Sequence, residues 1–240
     1  MLEWDQVNLP EPATVQAYNL QQVYESRLLL GLFVLTVVLW FLRMAVFNKL
    51  TCATYLECAR LELFWRITPL FLLAIMCRIS VYVLYVNDET NTAPYIDVTV
   101  VGHQWYWRYK IGIGRGSNCL EWESRLVSRS ADRGIGFIDL FTVDQPLMIP
   151  VGQLIRVLVT RDDVIHRWGA PGLGIKLDAI PGRLSRGLFE VKLPCIIYGM
   201  CIELCGRLHG LIPTVIQAVP TEVFSAWEHG LSVRMEEGSL

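Results

Sequence analysis

Cys201-Ile202-Glu203-Leu204-Cys205-Gly206-Arg207-Leu208-His209 places two cysteines four residues apart, with a histidine four residues after the second. Two thiolates and an imidazole on one short loop are soft and borderline donors. They suit a transition metal rather than magnesium or calcium. Asp163-Val164-Ile165-His166-Arg167-Trp168 supplies a second histidine upstream, so a Cys2His2 donor set is available. Structural zinc sites usually keep their histidines at H-x3-5-H. Here the histidines are 43 positions apart and one precedes both thiols, a pattern that favours copper over structural zinc.

Working outward from that loop, the composition calls for a membrane. The chain of 240 residues is 53% hydrophobic, and its mean hydropathy is +0.38. Leu28 to Leu42 is uncharged, and the apolar run resumes at Met44 to Phe47 after Arg43. A run of about 20 residues suits a bilayer-spanning helix, and it starts too far into the chain for a signal peptide. A second span runs from Phe64 to Val86 and carries Arg66 and Arg78. Its twelve Leu, Ile, Phe and Val residues contribute roughly −5 kcal/mol to insertion against roughly +3 for a central arginine. Insertion wins, and Arg78 is expected to face protein, water or the interface. Lys49 and Arg60 lie between the spans, whereas the first 26 residues carry Glu3, Asp5, Glu11 and Glu25 and no base. The positive-inside rule then puts the short loop inside and both termini outside.

The segment after the spans has a different texture. Tyr95 to Val100 and Leu154 to Thr160 alternate or cluster β-branched residues, and glycines and prolines such as Gly112, Gly114, Gly116, Pro146 and Pro150 punctuate the sequence. Short strands separated by turn signals predict an all-β sandwich or barrel. From Asp88 onward, 15 basic residues face 17 acidic ones, so no basic stripe calls for nucleic acid. Of the seven cysteines, Cys52, Cys58, Cys77, Cys119 and Cys195 stand outside any motif and read as buried small hydrophobes.

Four motifs now stand together: Gly102-His103-Gln104-Trp105-Tyr106-Trp107, Asp163 to Trp168, Leu173 to Arg183, and Tyr198 to Gly206. In order and spacing they resemble cytochrome c oxidase subunit II, as does the two-helix start. The resemblance is weakest over residues 1–25, 110–140 and the tail. It implies a transmembrane helical hairpin followed by an all-β cupredoxin-like barrel. The divisions would be an outer segment at 1–26, the hairpin at 27–88 (spans about 28–47 and 64–86), the barrel at 89–222, and a C-terminal helix and tail at 223–240.

The same resemblance implies a binuclear copper centre, CuA, with Cys201 and Cys205 as bridging thiolates and His166 and His209 as terminal ligands. The Glu203 carbonyl would be a weak ligand, and its carboxylate would reach a magnesium at the boundary with subunit I. Trp105 matches the residue through which electrons arrive from cytochrome c, and Glu62 the carboxylate at the mouth of a proton channel. The expected partners are the haem-bearing subunit I, other oxidase subunits, cytochrome c and the lipid bilayer. The expected place is the mitochondrial inner membrane, with the copper domain in the intermembrane space. A bacterial plasma membrane is the second reading.

The residues also support plainer roles. Glu62 reads as a helix-end carboxylate in the headgroup region. Trp105, Tyr106 and Trp107 read as an interfacial aromatic belt, and alternation would put Trp105 and Trp107 on one face. The sequence identifies no partner for the free nitrogen of either histidine, though metal-bound histidines require one.

The chain departs from the family pattern in three places. Ile212 stands where the family has a methionine ligand, before Pro213. Isoleucine cannot ligate, and loss of a weak axial thioether tunes a copper site rather than abolishing it. A genuine isoleucine and a methionine written from a misread AUA codon both stay open, and the mass of a peptide over residues 208–220 separates them. Arg108 and Lys110 follow Trp107 directly, where the family presents acids for a basic cytochrome c. Asp162, Asp163, Glu121 and Glu123 could supply those acids, in which case association should slow as salt rises. The third departure is Arg78, which has no visible partner. The alternative function is a membrane-anchored copper-binding or quinol-oxidase-like subunit without a working CuA.

Overall fold

The computed structural model of the chain describes residues 9–50, 57–87, 93–112, 119–127 and 140–236, with side chains as far as Gly230. Glu3, Asp5, Cys52, Gly114 and Gly116 lie outside the described residues. Two compact units emerge: residues 19–89 form one, and residues 1–18 with 90–240 form the other.

The first unit is helical. Helix α1 spans Val15–Phe47 and helix α2 spans Ala59–Asn87, with Pro69 inside the latter. Both are long and apolar enough to cross a membrane, and their most apolar windows are wholly unburied. At 33 residues, α1 is about 50 Å long against a hydrocarbon core of about 30 Å. It therefore extends well beyond the apolar run that revealed it. Its start is set by Thr14, whose hydroxyl accepts the Ala17 N–H at 3.0 Å and so caps one of the orphan donors of the first turn. Within the unit, Arg27 donates to the Ser80 hydroxyl. Arg78 makes no ion pair or side-chain hydrogen bond with the described residues.

The second unit is built from two five-stranded sheets. One runs β3 (Cys119–Ser124), β2 (Tyr106–Gly112), β1 (Ile96–His103), β5 (Leu154–Arg161), β8 (Ser185–Glu190). The other runs β4 (Leu147–Pro150), β10 (Pro213–Val219), β9 (Cys195–Cys201), β6 (His166–Ala170), β7 (Ile175–Ala179). Alternation dictates which faces meet. Val98 and Val100 of β1, Tyr109 and Ile111 of β2, and Ile155, Val157 and Val159 of β5 are fully buried. Burial of each such side chain contributes about 1.5–3 kcal/mol. The parallel β1–β5 register sets Val98 beside Val157 and Val100 beside Val159, so one row of branched side chains feeds the core.

The segment before α1 is stitched to this unit. Ala13 N–H donates to the Gly172 carbonyl at 2.8 Å, and the Thr14 hydroxyl donates to the Leu173 carbonyl at 2.9 Å. Helix α3 (Thr221–Glu236) follows β10 directly; it buries Phe224 and sets Trp227 edge-on to Trp122 at 5.5 Å.

Two expectations need correction. The face shared by Trp105 and Trp107 does not exist, because β1 turns into β2 through Gln104 and Trp105, with His103 paired to Tyr106. Trp107 is consequently in the core and Trp105 at the turn. The isolated cysteines are not uniformly buried either: Cys77 and Cys119 are exposed, and Cys58 and Cys195 are half-buried. Cys77 lies on a helix with no buried residue, and Cys119 begins the outermost strand of its sheet.

Candidate metal centre

Adjacent strands of the second sheet assemble the donors. His166 opens β6 and Cys201 closes β9, and the two strands pair antiparallel with Trp168 opposite Cys201. The loop after β9 carries Glu203 and Cys205, and a short 3-10 turn at His209–Leu211 leads into β10. Cys201 N–H donates to the Ile212 carbonyl and Ile202 N–H to the Arg167 carbonyl, each at 3.0 Å. The loop is thereby pinned on both sides. Gly199 lets β9 approach β6: a Cβ there would stand 2.1 Å from the Gly169 carbonyl oxygen.

The donor atoms form a row. His166 Nδ1 lies 3.8 Å from Cys201 Sγ, which lies 3.9 Å from Cys205 Sγ, which lies 3.5 Å from His209 Nδ1. The ligand atoms of His166, Cys201 and Cys205 all fall within 4.8 Å of one another, and all three residues are buried. One metal–sulfur bond is about 2.3 Å, so sulfurs 3.9 Å apart can share an ion. The Glu203 carbonyl faces the same space, 3.4 Å from Cys201 Sγ. Two thiols with two imidazoles fit copper by softness, and the spacing fits a shared site.

Charge is already partly in place. Burial pushes the Cys201 thiol up, but hydrogen bonds from His166 and the Arg167 and Glu203 main chain outweigh it and bring its pKa to about 6. Burial, then the Cys201 charge, push Cys205 up to about 12. The pair thus holds one proton between its sulfurs at neutral pH. Burial disfavours the charged form of His166, yet Cys201 and Asp163 raise its pKa above the ordinary value.

The partner the sequence left unidentified is Asp163, whose Oδ1 lies 2.8 Å from His166 Nε2. That contact leaves Nδ1 facing the sulfurs, as a metal-bound imidazole requires. The only sequence signal was an acid three residues before the histidine. Gly102 was missed as well; a Cβ there would lie 2.9 Å from His166 Cδ2, so the ring sits against bare backbone.

The remaining expected residues fall as follows. Trp105 is half-buried, with its indole against Gly206: a Cβ on that glycine would be 3.3 Å from Trp105 Cζ2. Gly206 also holds φ +127, open only to glycine at small cost. The Glu203 carboxylate is 3.4 Å from Arg167, which also pairs with Asp178. Ile212 is buried, 1% exposed, and holds Cys201 through its carbonyl. Glu62 lies in the helical unit, in the first turn of α2, 3.5 Å from Arg66 one turn on.

Three of the acids expected to serve docking, Glu121, Glu123 and Asp162, are already engaged. Arg108 lies within 3.5 Å of Glu121, 3.2 Å of Glu123 and 3.7 Å of Asp162. Lys110 pairs with Glu121 at 3.0 Å, and Arg125 pairs with Glu123 at 2.6 Å while covering the Tyr106 ring at 3.7 Å. Glu121, Glu123 and Asp162 are matched by Arg108, Lys110 and Arg125, so this rim carries little net charge among the described residues.

Fold and site define a class: a cupredoxin-type β domain that follows, in sequence, two helices long and apolar enough to cross a membrane, with a buried cysteine–histidine cluster compatible with copper. Residues 96–219 match the family described as cytochrome C oxidase subunit II, periplasmic domain, and residues 2–84 match its transmembrane domain. The chain belongs to the cytochrome c oxidase subunit II family and is a membrane protein. It is 33% identical over 229 residues to cytochrome c oxidase subunit 2 of Myxine glutinosa, covering 95% of this chain and 98% of that one. Among solved structures it is similar to the periplasmic domain of subunit II (CoxB) of Bradyrhizobium japonicum. That match has 32% identity and a TM-score of 0.53, and covers 60% of this chain and 99% of the other. It is also similar to subunit II in a mixed disulfide with thioredoxin-like TlpA, at 31% identity and TM-score 0.51, covering 61% and 97%.

Proposed function

We propose that this chain is the electron-accepting subunit of a haem-copper terminal oxidase, taking electrons from cytochrome c at a binuclear CuA centre and passing them to the haem of subunit I. The observation that carries the reading is the row His166–Cys201–Cys205–His209, in which each thiol has its own imidazole at 3.8 and 3.5 Å and the thiols lie 3.9 Å apart. The four would hold two coppers, with the Glu203 carbonyl as a weak fifth donor. Bound there, copper supplies one-electron redox chemistry. The chain's own residues position the donors, exclude water and keep the site's geometry fixed, which lowers the rearrangement accompanying electron transfer. Ile212 leaves the site without a thioether, so its potential differs from that of relatives with methionine.

Trp105, packed on the glycine next to Cys205, is the electron-input residue. The Glu203 carboxylate, 3.4 Å from Arg167 here, is the group that would hold a magnesium at the subunit I boundary. Glu62 stands at the mouth of a proton path, in keeping with the cost of carboxylates at membrane helices. The copper domain faces the mitochondrial intermembrane space, and the complex pumps protons.

Rapid mixing of the assembled oxidase with reduced cytochrome c tests the reading. Transfer should reach copper before haem, and Trp105→Phe should slow it by at least about tenfold. Unchanged transfer after Cys201→Ser and Cys205→Ser would overturn it.

A further inference from the structure

The turn that carries Trp105 is fastened to the metal loop by its neighbour. Gln104 N–H donates to Asp163 Oδ2 at 2.5 Å, while the other oxygen of that carboxylate meets His166 Nε2 at 2.8 Å. The Gln104 side-chain amide donates to the Cys205 carbonyl at 2.8 Å. One residue therefore reaches the imidazole end of the donor row through its main chain and the second thiol through its side chain. Both bridges are short, and the Asp163 bridge is charge-assisted.

This arrangement bears on what Asp163 can do. Both its oxygens are occupied, and burial is outweighed by its bonds to His166 and the Gln104 N–H, which keep its pKa below the ordinary carboxylate value. Asp163 keeps 30% of its side chain exposed, so docking and clamping make different demands on the same carboxylate and are separated by the readouts below. Gln104 is exposed as well, and one of its two amide hydrogens is already committed to the Cys205 carbonyl. Between the two bridges, the Trp105 indole packs against Gly206, where a Cβ would stand 3.3 Å from Trp105 Cζ2 and 3.2 Å from Gln104 Nε2.

We propose that Gln104 and Asp163 are positioning residues: a clamp that locks the Trp105 turn to His166 and Cys205, so that electron input and donor geometry are set together. The inference rests on the copper reading above. Its unit of action is the pair of hydrogen-bonded bridges, not the surface charge of either side chain. Gln104→Met keeps the length of the side chain and the main-chain N–H but removes the donor to Cys205. Asp163→Asn keeps the shape but cannot accept from both His166 and the Gln104 N–H.

The test uses the assembled oxidase carrying Gln104→Met or Asp163→Asn, with copper content, the copper EPR spectrum and single-turnover reduction by cytochrome c measured together. Hydrogen exchange at the Gln104 amide is followed in the metal-free intact chain. Asp163→Asn should shift the EPR spectrum and speed Gln104 exchange by at least about tenfold. Gln104→Met should retain its copper and its KM but lose about tenfold in the rate from bound cytochrome c. If both variants instead raise KM alone, with spectrum, exchange and bound-state rate unchanged, the two residues only dock the partner and the clamp is wrong. Absence of copper from the parent oxidase would overturn the underlying reading, a result separable from either outcome in the variants.

Discussion

Gly102→Ala asks how tightly the barrel defines the position of His166. The added methyl would stand 2.9 Å from His166 Cδ2, 3.0 Å from Cγ and 3.1 Å from Cβ. Ordinary carbon contacts are about 3.5–4.0 Å, so ring or strand must yield by roughly 0.5–1 Å. The ring has nowhere to go: it is fully buried, tethered to Asp163 at 2.8 Å and packed edge-on to Trp107 at 5.8 Å between centroids. Overpacking of this kind costs about 1–3 kcal/mol, which corresponds to a melting point roughly 2–12 °C lower. Constellations that bind metal tolerate displacements of only about 0.5 Å, so copper affinity should fall by at least about tenfold. Chelator competition on the intact chain in detergent reads the affinity, and near-ultraviolet circular dichroism reads the melt. Gly112→Ala is the control, because a methyl there meets nothing within 4 Å. A Gly102→Ala chain that binds copper within about twofold of the parent and melts at the same temperature would refute the reasoning.

Three other perturbations follow from the same geometry. Gly199→Ala forces a methyl to 2.1 Å from the Gly169 carbonyl oxygen, and since backbone cannot rotate away, the loss should exceed about 3 kcal/mol; recovery of folded chain at parental yield and melting point would contradict it. In the metal-free chain, thiolate absorbance lost on Cys201→Ser should titrate near pH 6, because the Cys201 pKa is lowered to about 6 while Cys205 is raised to about 12; the charged form thus prevails above the lowered value, and a midpoint near 9 would sink the assignment. With its acids paired to Arg108, Lys110 and Arg125, the rim should give a shallow salt response, about threefold or less between roughly 50 and 200 mM salt. Replacing Arg108 and Lys110 with glutamine should steepen it, and a steep response in the parent chain would show that unpaired acids do the steering.

Much of this was written in the sequence because the signals were local. The two apolar runs needed only length and hydropathy, and β1 and β5 needed only branched residues in alternation. Cys201, Cys205 and His209 sit in one loop, so their proximity followed from chain connectivity. What spacing could not show was which distant atoms close the site. The 2.8 Å contact of Asp163 with His166 and the two bridges from Gln104 depend on how the β1–β2 turn meets the loop before β6. The alternation argument failed at Trp105 for the same reason: a two-residue turn interrupts the period, and nothing in GHQWYW marks where. The start of α1 at Val15 was hidden because the residues from Val15 to Arg27 mix polar and apolar types, and the cap that fixes it, Thr14, also binds Leu173 far along the chain. The pairing of Arg108 with Glu121 and Glu123 likewise required the β2–β3 register.

Copper stoichiometry with electron paramagnetic resonance on the intact, copper-loaded chain tests the central claim most directly. Four donors in a row, each thiol with its own imidazole at 3.8 and 3.5 Å, predict two coppers per chain and one unpaired electron shared between them. A single localised copper, or zinc in its place, would contradict the account.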